Sequence, residues 1–556
     1  MKAKSSLLYL LLGSTFALAA CGGGSDDAGV TQSDTSSGTG APSGEQVLNL
    51  VESAEIPTMD STQATDTVAF TVLTNVNEGL YRQTLDGSLE LGMAAEEPTV
   101  SEDGLTYTFK IREDANWSNG DPVTAHDFVY AWQKLVDPAT AAPYSYMMEG
   151  VIANAAEIIA GEKSPEELGV KALDDKTLEV QLATAVPYFK DLTTLAMYFP
   201  QNEAFVEEQG DEYALSSEDL VYNGPFVLED WDAAGTSWTY TKNEDYWDAE
   251  TVNLDQINVD VVKETSTAMN LYDTGAIDRM VLTGEYVLQR TGDPEMHTMP
   301  TSSVFYLDFG QEKGNSPLAN ENIRKAISMA FDKQAYADVV LQNGSIPANG
   351  LVPEGLARDP ETGEDFREQN GDLSTYDPEA AQEHWEKGLE ELGVDSVELE
   401  LVSDDTENAK RSSEYLQDQL QKNLPGLTVS LRNVPFKVRL EITDSGDYDM
   451  VMSGWGADYA DPINFLELKE STNGHNKSGY ANEEYDALIS EARTEVGDLN
   501  ARWDNLLEAE QIMLEDAALA PIYQRANAVL QKDYVQDLGE HLVGADYSYK
   551  WAYVEK

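Results

Sequence analysis

One cysteine and five histidines in 556 residues leave almost nothing with which to build a thiolate or imidazole metal centre. Positive charge is scarce as well: 35 Lys and Arg face 101 Asp and Glu, a net of −66. Such a chain repels phosphate backbones and anionic headgroups, which excludes electrostatic nucleic-acid binding and membrane docking. Past the first twenty residues no apolar run is long enough to span a bilayer. The sequence has no repeat of the length that builds solenoids or propellers. It has no HExxH pair, no CxxC and no Walker loop, and its nearest glycine-flanked serine, in Ser453-Gly454-Trp455-Gly456, lacks the spacing of a nucleophile elbow. The acidic run from Asp359 to Asp365 reads as a solvated loop rather than a calcium site. No pair of carboxylates stands out as a glycosidase dyad. The sequence thus gives no sign of catalysis, and no cofactor or metal is expected.

What is present begins with an address. Lys2 and Lys4 precede an apolar stretch from Leu7 to Ala17, the make-up of a secretory signal. It ends in Leu18-Ala19-Ala20-Cys21, which resembles a bacterial lipoprotein lipobox with Cys21 as the acylated mature N-terminus. The other reading is an ordinary signal peptide (residues 1–20) with a stray cysteine. A diacylglycerol supplies the two acyl chains that stable anchoring needs. Residues 21–44 are Gly, Ser, Thr and Asp almost throughout, a composition that cannot bury apolar area and suits a flexible tether.

From Val47 onward, 41% hydrophobic content and nine Trp in the whole chain supply large cores, and the length corresponds to three or four units of roughly 150 residues. Alternation at Tyr107–Ile111 and Leu178–Leu182 predicts half-buried strands. Thr124 with Asp127 predicts a capped helix whose inner stripe is Phe128, Trp132 and Leu135. A helix from Glu321 is predicted to carry Ile323, Ile327, Phe331 and Val339 inward. Asp377-Pro378 starts another, with Ala381, Trp385 and Leu389 inside, and amphipathic segments follow at about 482–495 and 500–516. His126 reads as a solvated surface histidine. The fold class is α/β (mixed α+β), in several lobes with a ligand site between them.

Six stretches, taken in order, resemble the peptide-binding extracellular solute-binding proteins, family 5, of ABC importers. They are Trp117 to Trp132 (WSNGDPVTAHDFVYAW), Ala142 to Tyr146 (APYSY), Asn223 to Phe226 (NGPF), Asn243 to Trp247 (NEDYW), Asn315 to Ala326 (NSPLANENIRKA) and Trp455 to Pro462 (WGADYADP). The resemblance implies a periplasmic-binding-protein-like fold of the three-domain type, with two lobes closing on a ligand. It places domain I at 45–76, 204–305 and 526–556, domain II at 77–203 and domain III at 306–525, hinged where the chain crosses between I and III. Most of these motifs read as fold-forming; Asn223-Gly224-Pro225 is a turn that can also present backbone at a cleft rim.

The stretch around Asp458 differs. Tyr448 to Met452 is apolar enough for an interior strand, and a carboxylate just past a buried strand needs donors or a cation. From the residues alone, a cap or a lysine partner explains it as well as a ligand does. The resemblance implies that Asp458 receives the free α-amino group of a peptide, that Tyr144 approaches from the opposite lobe, and that Trp455, Gly456 and Ala457 line one wall. Relatives with short peptides carry arginines before this motif, whereas 442–452 here holds no cation and Lys437, Arg439 and Arg411 lie upstream, so the ligand's carboxylate is expected to be unanchored. The implied partners are an oligopeptide and the subunits of an ABC permease, with the membrane reached through lipid alone. No nucleic-acid partner is expected, and the protein is expected to be a monomer. The alternatives are another solute on the same fold, a peptide pheromone sensed for signalling, and a surface peptidase.

Overall fold

The computed structural model describes residues 44–186, 188–494 and 497–556; Cys21 and its tether lie outside the described residues. Among the latter no helix is long and apolar enough to cross a membrane. An 11-stranded sheet organises the body. From one edge its path runs through Leu427–Val434, Val397–Asp404, Met450–Gly456, Met296–Phe309, Leu519–Gln531, Arg279–Leu282, Val47–Glu52, Gln256–Val261, Ser237–Lys242 and Phe226–Glu229. Two long neighbours, Met296–Phe309 and Leu519–Gln531, pair antiparallel in the middle and carry the sheet from one side of the molecule to the other. They are buried along most of their length, which explains their apolar runs. Their register breaks between Pro300 and Val304 and again between Phe305 and Tyr306. Irregularities of this kind bend and twist a strand pair locally.

A separate four-stranded sheet is formed by Thr99–Val100, Thr106–Lys110, Thr177–Gln181 and Val170–Asp174. The predicted strands at 107–111 and 178–182 fall on it within one residue. The helix Ala125–Val136 packs beside it, started by the capping box of Thr124 with Asp127, with Phe128, Trp132 and Leu135 fully buried. Trp117 precedes this helix in a turn that needs Gly120 at φ +90°, closed by an isolated bridge from Asn116 to Pro122. Asp377 caps Pro378–Leu392 through the amides of Glu379 and Ala380.

The helix expected to run from Glu321 through Val339 is shorter. It stops at Met329, and Asp332 caps a new turn at Ala335 that continues as a wider coil over Tyr336–Leu341. The break changes the phase, so Phe331 stays buried while Val339 is 64% exposed. The Asn223-Gly224-Pro225 turn is sealed against the helix Thr67–Val76. Asn223 bonds both amide and carbonyl of Glu78, and a Cβ on Gly224 would lie 2.6 Å from the backbone of Val76 and Asn77. That turn is structural and has no free rim.

Candidate ligand-binding site

The strand Met450–Gly456 pairs along its length with Phe309–Ser303. On its other side only Met450 and Val451 are paired, with Leu401 and Val402. Residues 452–456 therefore keep one open strand edge. That edge faces a cavity of about 420 Å³ whose lining includes Ser453, Gly454, Trp455, Gly456, Asp458 and Tyr144. The volume lies within the range of specific small-ligand sites. Glycines suit this strand because a side chain has no room: a Cβ at 454 would lie 2.9 Å from the Phe305 ring, and one at 456 would lie 3.0 Å from Ser303 Oγ.

Asp458 follows the strand by two residues and is 5% exposed. Its Oδ2 accepts from the Asn464 side-chain amide at 3.1 Å and, at a longer 3.4 Å, from the Tyr144 hydroxyl. Asn464, fully buried, also accepts from the Asp458 amide at 2.9 Å and from Trp455 Nε1 at 3.1 Å. One amide side chain thus sets both the tryptophan and the carboxylate. No described residue donates to Oδ1, and no Lys or Arg pairs with this acid. Burial pushes its carboxyl up to about 7, against the partial relief given by Asn464 and Tyr144. A shielded carboxylate with one free oxygen and no counter-ion among the described residues has the chemistry to accept from a cationic N–H group.

Tyr144 stacks on Trp455 with centroids 5.9 Å apart and meets Phe70 edge-on at 5.5 Å. Burial and the neighbouring Asp458 raise its phenol well above the ordinary value, so it stays a donor. His475 closes the cluster, edge-on to both Tyr144 and Trp455 at 5.0 Å. Burial drives its ring down to about 3, which keeps it neutral. Sequence reasoning passed over His475, since it sits in the polar run Asn473-Gly474-His475-Asn476 that reads as loop. Ala457 stands apart from the other wall residues. Its amide donates to Ser302 and its carbonyl accepts from Gly544, so both groups are used within the protein. The site thus brings together Asp458, Tyr144, Trp455 and Gly456, with Ala457 behind them.

The cavity walls also carry five cations from distant parts of the chain. Each has a carboxylate partner: Lys263 has Asp405 and Glu55, Arg279 has Glu540, Arg439 has Asp404, Lys469 has Asp308 and Arg525 has Asp546. His126 is largely solvent-exposed, 3.5 Å from Asp175. No group of three or more metal-ligating side chains is found among the described residues.

The model of the bacterial extracellular solute-binding proteins, family 5 Middle, matches residues 89–477. The chain belongs to this family. A dipeptide-binding protein of Lactococcus lactis subsp. cremoris is 35% identical over 515 residues, 90% of this chain and 93% of the relative. The structure of Listeria monocytogenes OppA bound to peptide is 50% identical and superposes with a TM-score of 0.90, covering 92% of this chain and all of that one. Escherichia coli MppA, a murein tripeptide-binding protein, superposes at 0.82 with 29% identity, covering 93% of this chain and 100% of that one. An MppA structure in the unliganded open form reaches only 0.58 at the same 29% identity, covering 92% and 98%. The arrangement seen here is thus far from that open form.

Proposed function

We propose that this family 5 solute-binding protein captures oligopeptides at the outer face of the cytoplasmic membrane, tethered by lipid on Cys21, and delivers them as a monomer to an ABC permease. The single observation that carries the peptide reading is Asp458: a buried carboxylate facing the cavity with Oδ1 free and no cation of the protein's own. A peptide's α-ammonium supplies the missing charge and the missing donors. The open edge at 452–456 offers main-chain groups to an extended ligand, a mode that reads backbone and not side chains. The stacked pair Tyr144 and Trp455 packs beside the bound terminus.

Residues 45–76, 204–305 and 526–556 form one lobe in this reading and 306–525 the other, with 77–203 beside them. The irregular centre of the two long strands is the hinge. Calorimetry tests the reading with a short neutral peptide and its N-acetylated twin. Removing one member of a buried ion pair costs about 3–5 kcal/mol, so acetylation, or Asp458→Ala, is expected to weaken binding several hundredfold. Equal affinity across these changes would defeat it. The peptide is also expected to be recovered intact after long incubation, since the proposed role is binding and not hydrolysis.

A further inference from the structure

The ionisable lining of the cavity is unbalanced. Its five cations are all matched by carboxylates of the protein. Three lining carboxylates beside Asp458 are not matched by a side chain: the solvent-exposed Asp444 and the less accessible Glu52 and Asp66. Glu52, at the end of the strand Val47–Glu52, has neither a hydrogen bond nor an ion pair to another side chain among the described residues. Arg279 and Arg525 reach it electrostatically, but Glu540 and Asp546 already neutralise them. Burial accordingly pushes its carboxyl up to about 7. Asp66, 7% exposed, caps the helix Thr67–Val76 through one oxygen, while its Oδ2 is buried without a partner. A single α-ammonium at Asp458 leaves this excess of negative charge in place.

We infer that Glu52 is a specificity-determining residue that receives a basic side chain of the ligand, so that the protein selects peptides bearing Lys or Arg and disfavours those bearing Glu or Asp. The inference rests on the peptide reading above and adds the class of peptide. A lysine or arginine side chain brings the second positive charge and donates to a carboxylate that only the Ser53 amide, and no side chain of the protein, serves. An acidic side chain meets a cavity in which no cation lacks a partner. The deeper Asp66 adds to the same field.

The test uses the full chain and peptides that differ at one position in Lys, norleucine or Glu, with that position scanned along the peptide. Calorimetry on the unaltered protein is expected to give, at one position, Lys binding roughly 10- to 100-fold tighter than norleucine, the range of a hydrogen bond to a charged group. Glu52→Gln is expected to bring the Lys-to-norleucine ratio close to one, and Glu52→Lys to favour the Glu peptide. A ratio near one in the unaltered protein, or an undiminished ratio in Glu52→Gln, overturns the inference. N-acetylated norleucine peptide, run alongside, reports on Asp458 alone, so a failure there leaves the Glu52 result standing. If no peptide binds either protein, both conclusions fall together.

Discussion

Peptide affinity should follow the protonation of Asp458, because a carboxyl raised to about 7 in the empty protein must ionise to hold an ammonium. Only the ionised form binds, so the apparent dissociation constant rises by a factor of 1 plus ten to the power (pKa minus pH). Between pH 8 and pH 5 this amounts to about 100-fold, or about 2.7 kcal/mol. At the alkaline end the peptide's own α-amino group, with a pKa of about 7.7–8.0, begins to lose its proton. The optimum therefore lies between about pH 7 and 8. Glu52 and Glu467, both pushed to about 7, and Asp66, pushed to about 6, titrate in the same window. Asp458→Asn, which keeps the shape and removes the charge, separates their contribution. Calorimetry of a neutral peptide at pH 6 in buffers of different ionisation enthalpy should show about 0.9 proton released from Asp458 per ligand bound. A dissociation constant that is flat between pH 8 and 5, or an acid limb of equal depth in Asp458→Asn, would refute the reasoning.

The same groups set the stability of the empty protein with the opposite sign. Their folded pKa values exceed the unfolded ones, so their stabilisation is full below about pH 4 and is lost as pH rises through 6–7. Ligand-free protein should melt at higher temperature at pH 5.5 than at pH 8, and Asp458→Asn should reduce that difference; scanning calorimetry checks both. Asn464→Ala leaves the Trp455 indole and the Asp458 amide without their acceptor, and each loss costs about 1–3 kcal/mol. Peptide affinity should fall at least tenfold and the melting temperature should drop. Cys21→Ser should release the protein from cells into the medium, as seen by fractionation; retention on the membrane would contradict a lipid anchor.

Local chemistry made much of the fold legible. The Thr124 and Asp127 pair, the Asp377-Pro378 start and the alternation at 107–111 each depend on neighbours within a few residues. The interior strand leading to Asp458 was readable for the same reason, because Met450, Val451 and Met452 are consecutive and buried. Periodicity failed at Val339, because Asp332 interrupts one helix to cap the next turn and no spacing rule registers the change of phase. The electrostatics of the site were less legible still. The sequence placed Arg439 upstream of the cation-free 442–452 segment but not at the cavity, and it passed over Lys469 and Arg525; all three reach the cavity from other elements and are paired there. That no side chain among the described residues pairs with Glu52 likewise depends on where the fold commits Arg279 and Arg525.

A crystal structure with a bound tripeptide decides the matter most directly. The ligand's α-nitrogen is expected within about 3.2 Å of Asp458 Oδ1, with its backbone beside residues 452–456. An Asp458 that turns to solvent or takes a lysine or arginine of the protein, or a ligand seated with its carboxylate at that position, would contradict the proposed capture of an amino terminus.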